Sequence, residues 1–138
     1  MTGEFALREH TADVAIEATG DTLGAVFAAV ADGLTAAHCE SVPAEGGDTF
    51  GFGVAAASRE ALLFDYLDEI IYQRDVRGVL PTDHEVDVHW NGEWVAEAYA
   101  RGVPFEAVDA REIKAVTYSE MELVETDDGW RAYVVLDV

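Results

Sequence analysis

The sequence predicts an α+β protein: a single two-layer domain over residues 1–138, with two helices on one face of a mainly antiparallel sheet. Three observations lead there. In Ser58–Tyr72, Leu62, Leu63, Tyr66, Leu67, Ile70 and Ile71 recur at helical spacing, opposite Arg59, Asp65, Asp68 and Glu69. A second stripe, Leu23, Val26, Phe27, Val30, Ala31 and Leu34, has the same period. The remaining apolar residues mostly alternate in short runs broken by Gly, Pro and Asp, as half-buried strands do.

Taken in order, the polar cluster Glu9–Asp13 leads into a strand on which Val14, Ile16 and Ala18 share one face. Gly20 and Asp21 end it, and Asp21 or Thr22 caps the first helix, which is expected to fray near His38 and Cys39. Pro43 to Gly47 is loop. Phe50, Phe52, Val54 and Ala56 form a second strand running into the Ser58-capped helix, which stops at Arg77-Gly78. Val86, Val88 and Trp90 make a third strand. Asn91-Gly92 favours a type I′ turn, with positive φ at both central residues, returning Glu93–Arg101 as a hairpin. After a loop from Pro104 to Ala110, Ile113–Thr117, Met121–Val124 and Trp130–Leu136 read as three further strands, the last two joined at Asp127-Asp128-Gly129.

Composition narrows the function. There are 28 acidic residues against 8 basic ones, a formal net charge of −20, and Lys114 is the single lysine. Such a surface has no basic patch to displace counterions from phosphate, so direct binding of naked nucleic acid is not expected. An acidic, lysine-poor surface resembles that of proteins from salt-accumulating archaea, and self-repulsion should make the fold depend on salt. No apolar run approaches the roughly 20 residues of a membrane span, and no secretory signal is visible; a cytoplasmic protein is expected. A lone Cys39 beside His38 excludes an internal disulfide and makes a poor zinc site.

Motifs for phosphate loops, zinc proteases, redox pairs and nucleophile elbows are missing. Two places carry chemistry. His10 and Asp13 stand three apart beside an apolar strand. At the other end, Asp137 and Val138, with its terminal carboxylate, offer hard oxygen donors that suit Ca²⁺ or Mg²⁺ if a further acid meets them in space. Solvated termini and a hydrogen-bonded structural histidine are the plain readings of the same residues.

Four blocks, in order, resemble the archease family: His10-Thr11-Ala12-Asp13-Val14, Ala61–Tyr72, Ile113-Lys114-Ala115-Val116-Thr117-Tyr118 and Val135-Leu136-Asp137-Val138. The resemblance covers essentially the whole chain. It implies a two-layer α/β fold and a non-enzymatic accessory protein. That partner promotes guanylylation and multiple turnover of an RtcB-type tRNA-splicing RNA ligase. It also implies a bound divalent cation, usually calcium, on residues matching Asp13, Asp137 and Val138. Where the family commonly continues the Tyr118 block with His-Asp-Met, this chain has Ser119-Glu120-Met121, which keeps an acid and loses the imidazole. Two other classes stay open: a small metal-dependent hydrolase using Asp13, His10 and Asp137, and an acidic protein-binding module.

Overall fold

The computed structural model describes residues 3–10 and 13–138, with Glu9 and His10 described by backbone alone. The elements, in order, are β1 (Gly3–His10), β2 (Asp13–Gly20), α1 (Leu23–His38), β3 (Asp48–Ala56), α2 (Arg59–Arg77), β4 (Val79–Trp90), β5 (Trp94–Pro104), a 3₁₀ turn (Phe105–Ala107), β6 (Ala115–Thr126) and β7 (Gly129–Asp137). Every strand pair is antiparallel, and the fold is α+β.

The helices form where the apolar period requires. Thr22 caps α1, its Oγ1 accepting from the Ala25 N–H at 3.1 Å, and Ser58 caps α2 through Ala61 in the same way. Gly78 ends α2 at φ 65°, the left-handed conformation that a glycine adopts without a Cβ clash. All six predicted stripe residues of α2 are buried. Asp68 on the opposite face is exposed, while Asp65 and Glu69 are half-buried. Tyr66 lies wholly inside, its ring stacked between Phe27 of α1 at 5.8 Å and Phe52 of β3 at 5.9 Å.

The strands are divided between two sheets, ordered β1-β2-β7-β6 and β3-β5-β4. Each helix touches strands of both sheets, so one continuous core lies along both helices. Strand β1, with Phe5 and Leu7 on one side, is an addition to the expected elements. The predicted pair Ile113–Thr117 and Met121–Val124 is one strand, β6, whose pairing with β7 shifts between Thr117 and Glu122. Strand β4 shifts similarly between Thr82 and Glu85. Each irregularity holds a non-glycine residue at positive φ, Glu120 at 57° and Asp83 at 51°.

Two expectations are corrected. Asn91-Gly92 does not make the type I′ turn: only Gly92 has positive φ, at 78°. Trp90 pairs with Trp94, their rings edge to face at 5.5 Å, leaving a three-residue loop. Helix α1 ends at His38, within the expected Ala37–Cys39, but that end is not frayed. His38 and Cys39 are buried, and the His38 ring is tied at both nitrogens.

Candidate functional site

The sheet β1-β2-β7-β6 brings the two ends of the sequence to one edge. Val14 pairs with Leu136, so the register carries Asp13 next to Asp137 on the neighbouring strand. Residues opposite one another on antiparallel strands project to the same face with Cβ atoms roughly 4.5–5.5 Å apart. Leu136 points into the core and Asp137 is exposed, which puts this carboxylate pair on the outer face. Val138 follows directly and packs its half-buried side chain against the core. Next to it, the Lys114 N–H donates to the Asp137 carbonyl at 2.8 Å, bringing the single lysine of the chain to the same corner.

A network from both helix ends holds that corner. Arg74, near the end of α2, donates through one nitrogen to the Ile113 carbonyl at 2.8 Å and to His38 Nε2 at 2.9 Å. His38 Nε2 is therefore the accepting nitrogen, and Nδ1–H donates to the Leu34 carbonyl at 2.8 Å. Burial pushes the His38 imidazolium down to about 4, and the Arg74 and Arg111 charges add to that against the Leu34 carbonyl. The ring is neutral at pH 7 and acts as a spacer between the helices. Arg111 pins the adjoining segment, its Nε donating to the Ala37 carbonyl at 2.7 Å and its backbone N–H to the His38 carbonyl at 2.7 Å.

The remaining predicted residues lie elsewhere. Thr11, Ala12 and the side chain of His10 fall outside the described residues; the His10 backbone pairs with Asp13. Ser119 and Glu120 sit exposed in the β6 bulge, with the Ser119 N–H donating to Thr117 Oγ1 at 3.2 Å. Ala115, four residues before Ser119, is the residue paired with Asp137, so the bulge is roughly 13 Å of strand away from the carboxylate corner. Tyr118, on the same strand, stacks its ring on Phe64 of α2, centroids 4.0 Å apart and planes within 9°.

Sequence reasoning missed Arg74 and Lys114. Arg74 lies in the last turn of α2, where a cation is favoured, but only tertiary structure shows which carbonyl it reaches. Lys114 stood only as the single lysine of an acidic chain and as one residue of the Ile113–Tyr118 block, with no role given to it.

As donors, Asp13 and Asp137 supply two hard carboxylates, and the oxygens of Val138 supply a third donor of the same kind. Among the described residues, no three His, Cys, Asp or Glu side chains gather closely enough to hold a metal ion. Among the described residues, main-chain oxygen such as that of Val138 is the donor that could join the two carboxylates.

Residues 5–138 match the model of the Archease protein family (MTH1598/TM1083). The chain belongs to the archease family. It is 32% identical over 144 residues to the protein archease of Methanosarcina barkeri, covering 98% of this chain and 96% of that protein. Identity to the protein archease of Pyrococcus furiosus is 32% over 135 residues, covering 94% and 95%. The fold is similar to the solution structure of Methanobacterium thermoautotrophicum protein 1598, with a TM-score of 0.83, 26% identity and coverage of 99% and 98%. It is also similar to the crystal structure of an archease, described as a possible chaperone, from Thermotoga maritima. That match has a TM-score of 0.65, 21% identity and coverage of 95% and 94%, a likeness of fold. No described helix is long and apolar enough to cross a membrane.

Proposed function

We propose that this chain is an accessory protein that activates an RtcB-type RNA ligase in tRNA splicing, promoting its guanylylation and multiple turnover. A divalent cation, calcium in the first instance, is held by Asp13, Asp137 and Val138. The observation that supports this most directly is the β2–β7 register, which sets Asp13 beside Asp137 at the edge where the sequence ends. Family membership supports the accessory role, as does the possible-chaperone description of the Thermotoga maritima relative. When bound, the cation supplies positive charge between carboxylates that otherwise repel each other, and so ties β2 to β7. Arg74 acts on the corner from below, fixing Ile113 and thereby Lys114 against the Asp137 backbone. The face offered to the ligase then carries acidic groups, one lysine and the cation.

Asp13→Ala and Asp137→Ala are the test. Each should lose calcium binding by calorimetry and lose stimulation of ligase turnover, yet keep its circular dichroism spectrum in high salt. Deleting Val138 should do the same if its oxygens are ligands. Full stimulation by folded Asp13→Ala would remove the cation from the mechanism.

A further inference from the structure

A groove separate from the carboxylate corner lies along the free edge of β4. There a cavity of about 520 Å³ opens between β4, α1 and the start of β1. Its acidic lining is Asp32 from α1, Glu85 and Asp87 from β4, and Glu97 from β5; no lysine or arginine lines it. Asp87 stands directly opposite Glu97 in the β4–β5 register, a like-charge pairing that destabilises a sheet. Glu85 and Glu97 have no ion-pair partner among the described residues, and Asp87 meets only the exposed His89 ring at 2.8 Å. The apolar wall is Ala25, Ala28 and Ala29, small residues that leave the groove open. Tyr99, 57% exposed, adds an aromatic surface at the same lining.

The buried end of the lining shows what is wanted there. His84 is 7% exposed, and its ring is fixed by Thr35 of α1. The single Thr35 proton goes to a carbonyl, that of Pro81 at 2.7 Å, so His84 Nε2 carries the hydrogen and donates to Thr35 Oγ1 at 2.8 Å. His84 Nδ1 is then a bare acceptor, buried, with no hydrogen-bond partner among the described residues. The His84 backbone N–H goes to the Asp32 carboxylate. The inner end is thus two acceptors, a carboxylate and an imidazole nitrogen, without a donor that answers the nitrogen. Burial, reinforced by Asp83, raises Asp32 to about 6 despite that N–H, so its charge too is poorly compensated.

We infer that this groove binds a linear polyamine, with one ammonium at Asp32 and His84 and the others along Glu85, Asp87 and Glu97. An ammonium brings three N–H donors to a carboxylate that holds one backbone N–H and a ring nitrogen that holds none. A single metal ion fits less well. Among the described residues no three His, Cys, Asp or Glu side chains converge on one point, so the acidic charge is spread along the groove. Spread charge on an apolar floor matches ammonium groups separated by methylene spacers.

The test is nuclear magnetic resonance titration of the folded protein with spermine and, separately, with butylamine. It is run in molar potassium chloride, where screening falls to about 3 Å and diffuse attraction to an acidic surface is suppressed. Spermine should shift the signals of His84, Tyr99 and α1 along one saturable isotherm, with butylamine at least about tenfold weaker. Loss of one charge-assisted hydrogen bond should weaken spermine about tenfold in Asp32→Asn. Glu97→Gln, on the exposed side, serves if the first variant does not fold, and Ala28→Leu should block the groove with its charge intact. Asp68→Asn, on the exposed face of α2 and outside the lining, should change nothing. Non-saturable shifts spread over the surface, equal affinity for butylamine, or undiminished binding by Glu97→Gln and Ala28→Leu would each overturn the inference. The outcome is independent of calcium binding at the Asp13–Asp137 corner.

Discussion

The Tyr66 hydroxyl offers a sharp test of how the core is held. The residue is fully buried, and its oxygen has no hydrogen-bond partner among the described residues. Burial, with the nearby Asp32 charge, pushes the phenol well above its usual range, so it stays neutral. A hydroxyl taken out of water without a partner costs roughly 1–3 kcal/mol in proteins. Tyr66→Phe removes that oxygen and keeps the ring between Phe27 and Phe52, so the packing term is retained. The variant should be more stable than the parent by about 1 kcal/mol, at the low end of that penalty because removing the oxygen leaves a small void. Tyr66→Ala, which removes the ring as well, should lose about 3–5 kcal/mol. Urea unfolding followed by tryptophan fluorescence, in molar potassium chloride, reads both. A Tyr66→Phe protein less stable by more than about 1 kcal/mol would show that the hydroxyl has a partner, and would refute the reasoning.

Leu67, fully buried on the α2 stripe, should cost about 2–5 kcal/mol as Leu67→Ala, while exposed Asp68→Ala should cost under about 1 kcal/mol. Equal losses in urea unfolding would put the helix face in the wrong place. His38 and His84 both titrate at about 4 in the fold, below the 6.5 of the unfolded chain, so their contribution is full above pH 6.5 and lost as pH falls toward 4. Asp32, raised to about 6 from 3.8, works in the opposite sense, its contribution being present at low pH and lost as pH rises through 6. Two rings against one half-screened carboxyl leave a net loss of about 2–4 kcal/mol between pH 6.5 and 5, and a flat unfolding midpoint there would exclude neutral buried rings. With a net charge of −20, the thermal midpoint should rise from low to molar potassium chloride; a midpoint that stays level or falls would show that self-repulsion is not limiting.

Both helices were legible because each repeats its apolar residues over about three turns and starts at a hydroxyl cap. Strand β1 was not. Phe5 and Leu7 alternate over too few residues to rise above background, and both remain more than a third exposed at a sheet edge. The division into two sheets was equally silent, because alternation tells which face a residue takes and never which strand supplies its hydrogen bonds. His84 was within reach: it stands two residues before Val86, in the inward phase of the same strand, and extending the alternation back would have marked a buried imidazole. Its partner Thr35 belongs to a helix 49 residues earlier, a separation that no local pattern encodes. At the carboxylate corner the residue types could be read directly. The adjacency of Asp13 and Asp137 follows from strand order, which the sequence did not supply.

The pairing of β2 with β7 also has a kinetic side. Strands β3, β4 and β5 lie within residues 48–104 and can find each other while the rest of the chain is still being made. The other sheet cannot be completed that way. Its central pair joins Gly20 to Trp130, so closing it requires nearly the whole polypeptide and carries the entropy of a very long loop. On a ribosome, β1 and β2 must wait as an open hairpin, with the β2 edge unpaired, until β7 emerges. Strand β7 is the one that seals this sheet, and the acidic groups beside that edge repel other nascent chains during the wait.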